Sequence, residues 1–212
     1  MSVRKVVTRS GGHSRGLMPS IKNRCGAAWE SAWELKFYQL LELSPCVRQF
    51  IVQPTRERIW VEGQPTDYIP DVQAYLVDGT SAFFEVKPAL KCRTARITLR
   101  LAAIRAMFAE TERRFVLITD EWLSTGPRAH NVASLMFHRR EFLLDYTEKT
   151  RLNQIVSANQ PKTVNELCGL VGESNGWLLL GLSLIGVDLE LPLNGESEIF
   201  LEGGHRHADL PA

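Results

Sequence analysis

Three side chains in the stretch Tyr68–Pro88 could do chemistry together: Asp71 after Tyr-Ile-Pro, and Glu85 and Lys87 in Phe-Glu-Val-Lys-Pro. Two carboxylates and an ammonium brought together on a small sheet make poor core, because each charge loses hydration unless something compensates for it. A hard divalent cation is the usual compensation, held by one or two carboxylates with waters and a phosphate. The stretch therefore predicts a phosphodiester-cleaving site.

Alternation predicts strands over Val72–Val77 and Ser81–Val86, with Asp78-Gly79 as the turn. Cross-strand neighbours have a constant sum of residue numbers. Asp71 shares a face with Glu85 and Lys87 only if that sum is even. A two-residue loop would put them on opposite faces, so the site requires an odd-length loop, such as 78 to 80, or a bulge.

A third carboxylate comes from an apolar stripe at helical spacing, Trp29, Trp33, Phe37, Leu40 and Leu41, which predicts a helix from about Ala27 to Leu43 ended by Ser44-Pro45. Glu34 falls at the edge of that stripe, with Glu30 one turn earlier on the same edge as the alternative; Glu42 is expected to point away. Ser31-x-x-Glu34 is also a capping-box pattern, which would require the helix to begin there.

Further strands are expected at Val47–Val52, Glu57–Val61 and Phe115–Thr119, and a helix at Arg93–Ala109 with Ile97, Leu101, Ile104 and Phe108 inward. Arg93, Arg96 and Arg100 line another face of that helix, as a solvated surface or as phosphate contacts. Helix, strands, helix and strand in this order predict an α/β domain, a mixed sheet flanked by helices, over 27–125. After it the pattern turns helical. Val132, Leu135, Met136, Phe142 and Leu143 fall on one side, and short helices follow at Leu152–Val156, Val164–Leu170 and Trp177–Leu184. Gly186–Leu201, with an Asn194-Gly195 turn, reads as a hairpin. The whole predicts a small winged-helix-like domain over 126–202. Its expected recognition helix, near Asn175–Leu184, carries no Arg or Lys, which favours protein docking over groove reading. Residues 1–26 read as a flexible basic arm and 203–212 as an unstructured tail.

The chain of 212 residues has a formal net charge of only +1, which hides an asymmetry. Six bases and no acid precede Glu30, and from Pro88 to Arg114 seven bases face only Glu110 and Glu112. From residue 160 onward, eight acids face Lys162 and Arg206. Basic segments beside a carboxylate site favour a polyanion, and the acidic end favours a protein partner. The four cysteines show no metal-ligand spacing. The longest apolar run, Trp177–Val187, is too short for a membrane span, and no signal-peptide core is present, so a cytoplasmic location is expected.

Pro70-Asp71, fourteen residues, then Glu85-Val86-Lys87 resembles the signature of the PD-(D/E)xK nuclease superfamily. Ser31-Ala-Trp-Glu34, Phe37 through Val47, Gln53-Pro54, Tyr68-Ile-Pro-Asp71 and Phe84 through Ala89 together resemble the TnsA-type endonuclease subunit of heteromeric transposases. Leu117-Ile-Thr-Asp120 with Asn131 and the winged-helix-like end add to that likeness, which covers about 27 to 202. The resemblance implies a restriction-endonuclease-like fold in which Glu34, Asp71 and Glu85 bind Mg²⁺, with Mn²⁺ as a substitute, and Lys87 orients or activates the attacking water. It implies cleavage near the 5′ ends of a transposon in double-stranded DNA, beside a TnsB-like transposase and a TnsC-like ATPase. Gln53 matches a family position but reads more simply as a strand-end polar residue. Two alternatives stand beside this reading: a stand-alone nuclease of restriction or resolvase type, and a non-catalytic scaffold bridging DNA and protein.

Overall fold

A computed structural model describes residues 15–139 and 145–211. The chain divides into two compact units. The first runs through Glu42 and Cys46–Leu123 with Pro211, and the second comprises Leu43–Pro45 and Ser124–Leu210.

At the centre of the first unit is a mixed four-stranded sheet of β3 (Val47–Val52), β6 (Val72–Leu76), β7 (Ser81–Val86) and β8 (Arg114–Ile118), in that spatial order. β6 pairs antiparallel with both β3 and β7, whereas β8 lies parallel to β7. Each face of the sheet carries a helix. On one side α1 (Ala32–Leu43) buries Phe37, whose ring meets Phe84 at 5.1 Å, over the Val52–Val72–Phe84 row. On the other α3 (Ala95–Glu110) packs Leu101, Ile104 and Phe108 against Phe83, Ile59 and Tyr68. Aromatic contacts dominate that core: Phe108 stands 4.9 Å from Phe83 and 5.1 Å from Phe115. Arg113, just past α3, makes a paired bond to Glu57 (2.7 and 3.1 Å), which ties the helix end to β4 (Glu57–Val61).

β4 pairs with β5 (Gln64–Tyr68), a strand beyond those the sequence predicts. Glu62 and Gly63 both take positive φ, the geometry of a two-residue hairpin connection, and Pro65 is tolerated because this ribbon has only two strands.

Three expectations in this unit need correction. The basic arm over 1–26 stops short: Gly16–Ser20 (β1) pairs with Cys25–Trp29 (β2), and residues 1–14 lie outside the described residues. Glu42 does not point away but is buried at 1% exposure. Its carboxylate accepts from the Ser20 hydroxyl (2.7 Å) and the Ile21 and Lys22 amides (2.8 and 3.1 Å), which anchors the β1–β2 turn to α1. The helix begins at Ala32 rather than Ala27, because Cys25–Trp29 gains a strand partner that the helical spacing could not reveal. Two short helices add to the expected elements, α2 (Ala89–Cys92) after Pro88 and α4 (Asp120–Leu123) after β8.

The second unit holds α5 (Arg128–His138), α6 (Tyr146–Asn159), α7 (Val164–Val171) and α8 (Glu173–Gly181). Phe142 and Leu143 lie outside the described residues. Asp145 and Thr163 cap α6 and α7 through their side chains, accepting from the amides of Glu148 and Glu166. Glycines let α8 pack closely: a Cβ at Gly181 would lie 2.8 Å from the Leu135 carbonyl oxygen. The expected hairpin is reduced to Gly186–Val187 (β9) paired with Ile199–Phe200 (β10). Leu191, within the expected hairpin, is exposed.

The tail over 203–212 also needs correction. Arg206 donates its amide to the Val187 carbonyl (3.0 Å), Gly204 to that of Ser183 (2.9 Å), and His205 is 3% exposed. Among the described residues no helix is long and apolar enough to cross a membrane.

Candidate active site

The register of β6 and β7 decides whether the sequence-predicted residues can meet. Val72 pairs with Phe84 and Tyr75 with Ser81, an even sum throughout. The connection is the three-residue loop Val77–Gly79, with the Leu76 amide bonded to the Thr80 carbonyl (2.8 Å). Gly79 supplies φ +87, and Asp78 Oδ1 accepts from the amide and hydroxyl of Thr80 (2.8 and 2.7 Å). The loop is odd in length, one residue earlier than 78 to 80, and it carries Asp71 and Glu85 onto one row.

The ladder changes at that row. Val86 donates its amide not to a β6 carbonyl but to Asp71 Oδ2 (2.7 Å). The aspartate thus sits where β6 and β7 part, with Glu85 and Lys87 one step along. Burial pushes the Asp71 carboxyl well above the usual carboxylate range, Glu85 and Glu34 push it further, and Lys87 and the Val86 amide oppose them. Burial alone would lower the Lys87 ammonium, but Glu85 and Asp71 outweigh it and the net shift is upward.

Glu85 is 5% exposed, and both its oxygens are engaged. Tyr68 donates its hydroxyl to Oε2 (3.0 Å), and Lys87 pairs with Oε1. Lys87 follows from its backbone: its amide bonds the Ile118 carbonyl (2.8 Å) as β7 ends, and Asp120 then caps the next turn by accepting from the Ala89 amide (2.7 Å). Tyr68 and Asp120 join this arrangement through those bonds, and neither is given a role by its type or spacing in the sequence. Tyr68 stands in the quoted Tyr-Ile-Pro-Asp run, but only the fold shows its hydroxyl reaching across to Glu85.

Glu34 lies in the first turn of α1, and the capping-box alternative is realised. Ser31 Oγ accepts from the Glu34 amide (3.2 Å), while the Glu34 carboxylate accepts from the Glu30 amide (2.8 Å) and the Ser31 hydroxyl (3.0 Å). The same carboxylate faces the site electrostatically. Burial raises its pKa, the two capping bonds oppose that, and Glu30 and Glu85 raise it further. Glu30 precedes the helix.

The three arginines separate. Arg96 and Arg100 line an open cleft of about 400 Å³ with Tyr68, Ile69, Glu85, Lys87, Thr94 and Ile97. Arg100 lies over the Tyr68 ring and donates to the Asp67 carbonyl (3.4 Å). Arg93 is absent from that lining and pairs with Glu121 at 3.6 Å.

Three carboxylates, of which Asp71 and Glu34 are pushed upward by burial and by neighbouring carboxylates, offset by one ammonium, form a donor set that suits a hard divalent cation. Among the described residues, however, no three His, Cys, Asp or Glu side chains are gathered as a ready cation shell. The hydrogen bonds explain why: Glu34 is folded back on its own helix start, and Glu85 is held by Tyr68 and Lys87.

Models of known protein families give no match to the chain, and neither do curated proteins.

Proposed function

We propose that the first unit is a metal-dependent nuclease of the PD-(D/E)xK class. Within that class, the chain acts as a TnsA-type endonuclease subunit that cuts near the 5′ ends of a transposon. The observation that carries the reading is the even β6–β7 register. It brings Asp71 and Glu85 onto one row and opens Glu85 and Lys87 to a cleft flanked by Arg96 and Arg100.

In this reading Glu34, Asp71 and Glu85 hold Mg²⁺. When bound, the ion supplies Lewis-acid polarisation of the phosphate and a water of lowered pKa. Lys87 sets a positive charge beside the attacked phosphorus and orients the water. Tyr68 fixes the Glu85 carboxylate, and Arg96 and Arg100 take flanking phosphates. The second unit, read as winged-helix-like, presents in α8 a helix with no Arg or Lys, so it docks protein, with TnsB-like and TnsC-like subunits as partners. Near-neutral net charge fits a subunit whose partners supply much of the DNA affinity.

The experiment is strand-specific cleavage of a transposon-end duplex, with and without the partner transposase, in Mg²⁺ or EDTA. Mg²⁺-dependent cutting of the 5′ strand, lost in Asp71→Ala and Lys87→Ala, supports the proposal. Wild-type cutting by both variants refutes it. Robust cutting without partners would move the protein to the stand-alone class.

A further inference from the structure

Gln53 has several unfavourable features in one side chain, next to Asp71. It follows β3, and the β3–β6 register extends from Val52–Val72 to place it opposite Asp71. Its amide donates to the Asp71 carbonyl at 2.9 Å, and Tyr38 donates its hydroxyl to the same carbonyl at 3.4 Å. Gln53, Asp71 and Glu85 thus form one row across three strands.

The backbone at Gln53 has φ +46, the left-handed region that Gly, Asn and Asp adopt far more readily than Gln. Pro54 follows directly and restricts the preceding residue further. The side chain is 8% exposed, and its buried Oε1 has no hydrogen-bond partner in the protein. A residue serving only as a strand end would avoid both penalties with Gly, and the backbone penalty with Asn. Strain and an orphaned acceptor on one side chain are characteristic of functional sites.

We infer that Gln53 is a positioning residue of the cation site, its Oε1 accepting a hydrogen bond from a water of the hydrated divalent cation that Asp71 binds. Mg²⁺ keeps several of its waters, and their protons need acceptors arranged around the ligands. The inference rests on the metal-site reading above, and the test separates the two.

The full-length chain is titrated calorimetrically with Mg²⁺ and with Ca²⁺, as wild type, Gln53→Gly, Gln53→Asn and Asp71→Asn, and each is melted in EDTA. Gln53→Gly should melt at or above the wild-type temperature, because it relieves the left-handed backbone and removes the orphan, yet bind the cation about tenfold more weakly. Gln53→Asn keeps an amide and tolerates the backbone, so it should recover part of the affinity. Wild-type affinity in Gln53→Gly, with binding lost in Asp71→Asn, overturns the role of Gln53 alone. Absence of cation binding in the wild type, or wild-type binding by Asp71→Asn, overturns the metal-site reading and this inference with it. A Gln53→Gly protein that melts lower or fails to fold shows a structural role and also overturns the inference.

Discussion

Lowering the pH from 7.5 to 5 should destabilise the second unit through one side chain, His205. The imidazole is 3% exposed, and its Nδ1 accepts from the Val187 amide at 3.2 Å. Burial holds its pKa down to about 4, nearby Arg139 adding to the shift and the Leu180 backbone opposing it. The unfolded chain binds the proton near pH 6.5. Between those values the unfolded state holds more protons, so stability is full above about pH 6.5 and is lost as the pH falls towards 4. Linkage gives a loss of about 2 kcal/mol at pH 5, approaching about 3.4 kcal/mol below pH 4. A loss of 2 kcal/mol corresponds to at least about 4 °C in melting temperature for a chain of this size. The mechanism is local: a proton on Nδ1 would remove the acceptor for Val187 and leave a charge without water. The assay is urea unfolding followed by circular dichroism at pH 7.5, 6, 5.5 and 5, on the wild type and on His205→Gln, which can still accept from Val187. The wild-type stability should fall by about 2 kcal/mol relative to the variant. Parallel profiles would refute the reasoning.

Asp71→Asn should raise the melting temperature of the protein in EDTA at pH 7.5. The folded pKa of Asp71 is raised, so its contribution is unfavourable above that value and is relieved on acidification; the advantage of Asn should therefore shrink as the pH is lowered, and a variant less stable than wild type at pH 7.5 would contradict this. Glu42→Ala strips the acceptor from three donors of the β1–β2 turn and should cost about 2 to 4 kcal/mol in urea unfolding, far beyond a surface change. Arg96→Ala and Arg100→Ala should each weaken duplex binding and lower the slope of log K against log salt by about one, whereas Arg93→Ala, outside the cleft and paired with Glu121, should leave that slope nearly unchanged.

Much of the first unit was legible because local pattern and global fold agree there. The strands Val47–Val52 and Glu57–Val61 lie where the sequence predicts them, and the parity argument set a condition on the loop after β6 that the three-residue Val77–Gly79 connection meets. What the sequence could not show depended on partners distant along the chain. The Trp29 spacing looks helical until Gly16–Ser20 pairs with Cys25–Trp29. Glu42 looks like a solvent-facing charge until the β1–β2 turn supplies three donors. His205 lies in a Gly-rich run that resembles a loose tail, yet Gly203 and Gly204 serve a close approach to Ser183 and Leu184 and to Pro45. In the site, residue types were readable and the shared row only as a condition on the loop, whereas the Tyr68 bond to Glu85, the Asp120 cap and the strained Gln53 backbone exist only once the chain is folded. The departure of Arg93 from Arg96 and Arg100 has the same origin. All three fall along one stretch of sequence, but Arg93 lies beyond the N-terminus of α3, where Glu121 meets it.

The most direct measurement is the strand-specific cleavage assay on a transposon-end duplex with the partner transposase present, comparing the wild type with Asp71→Asn in Mg²⁺. The account predicts that the variant, folded and at least as stable, loses cutting of the 5′ strand while the partner's 3′-strand cutting persists. Unchanged 5′-strand cutting by Asp71→Asn would contradict it.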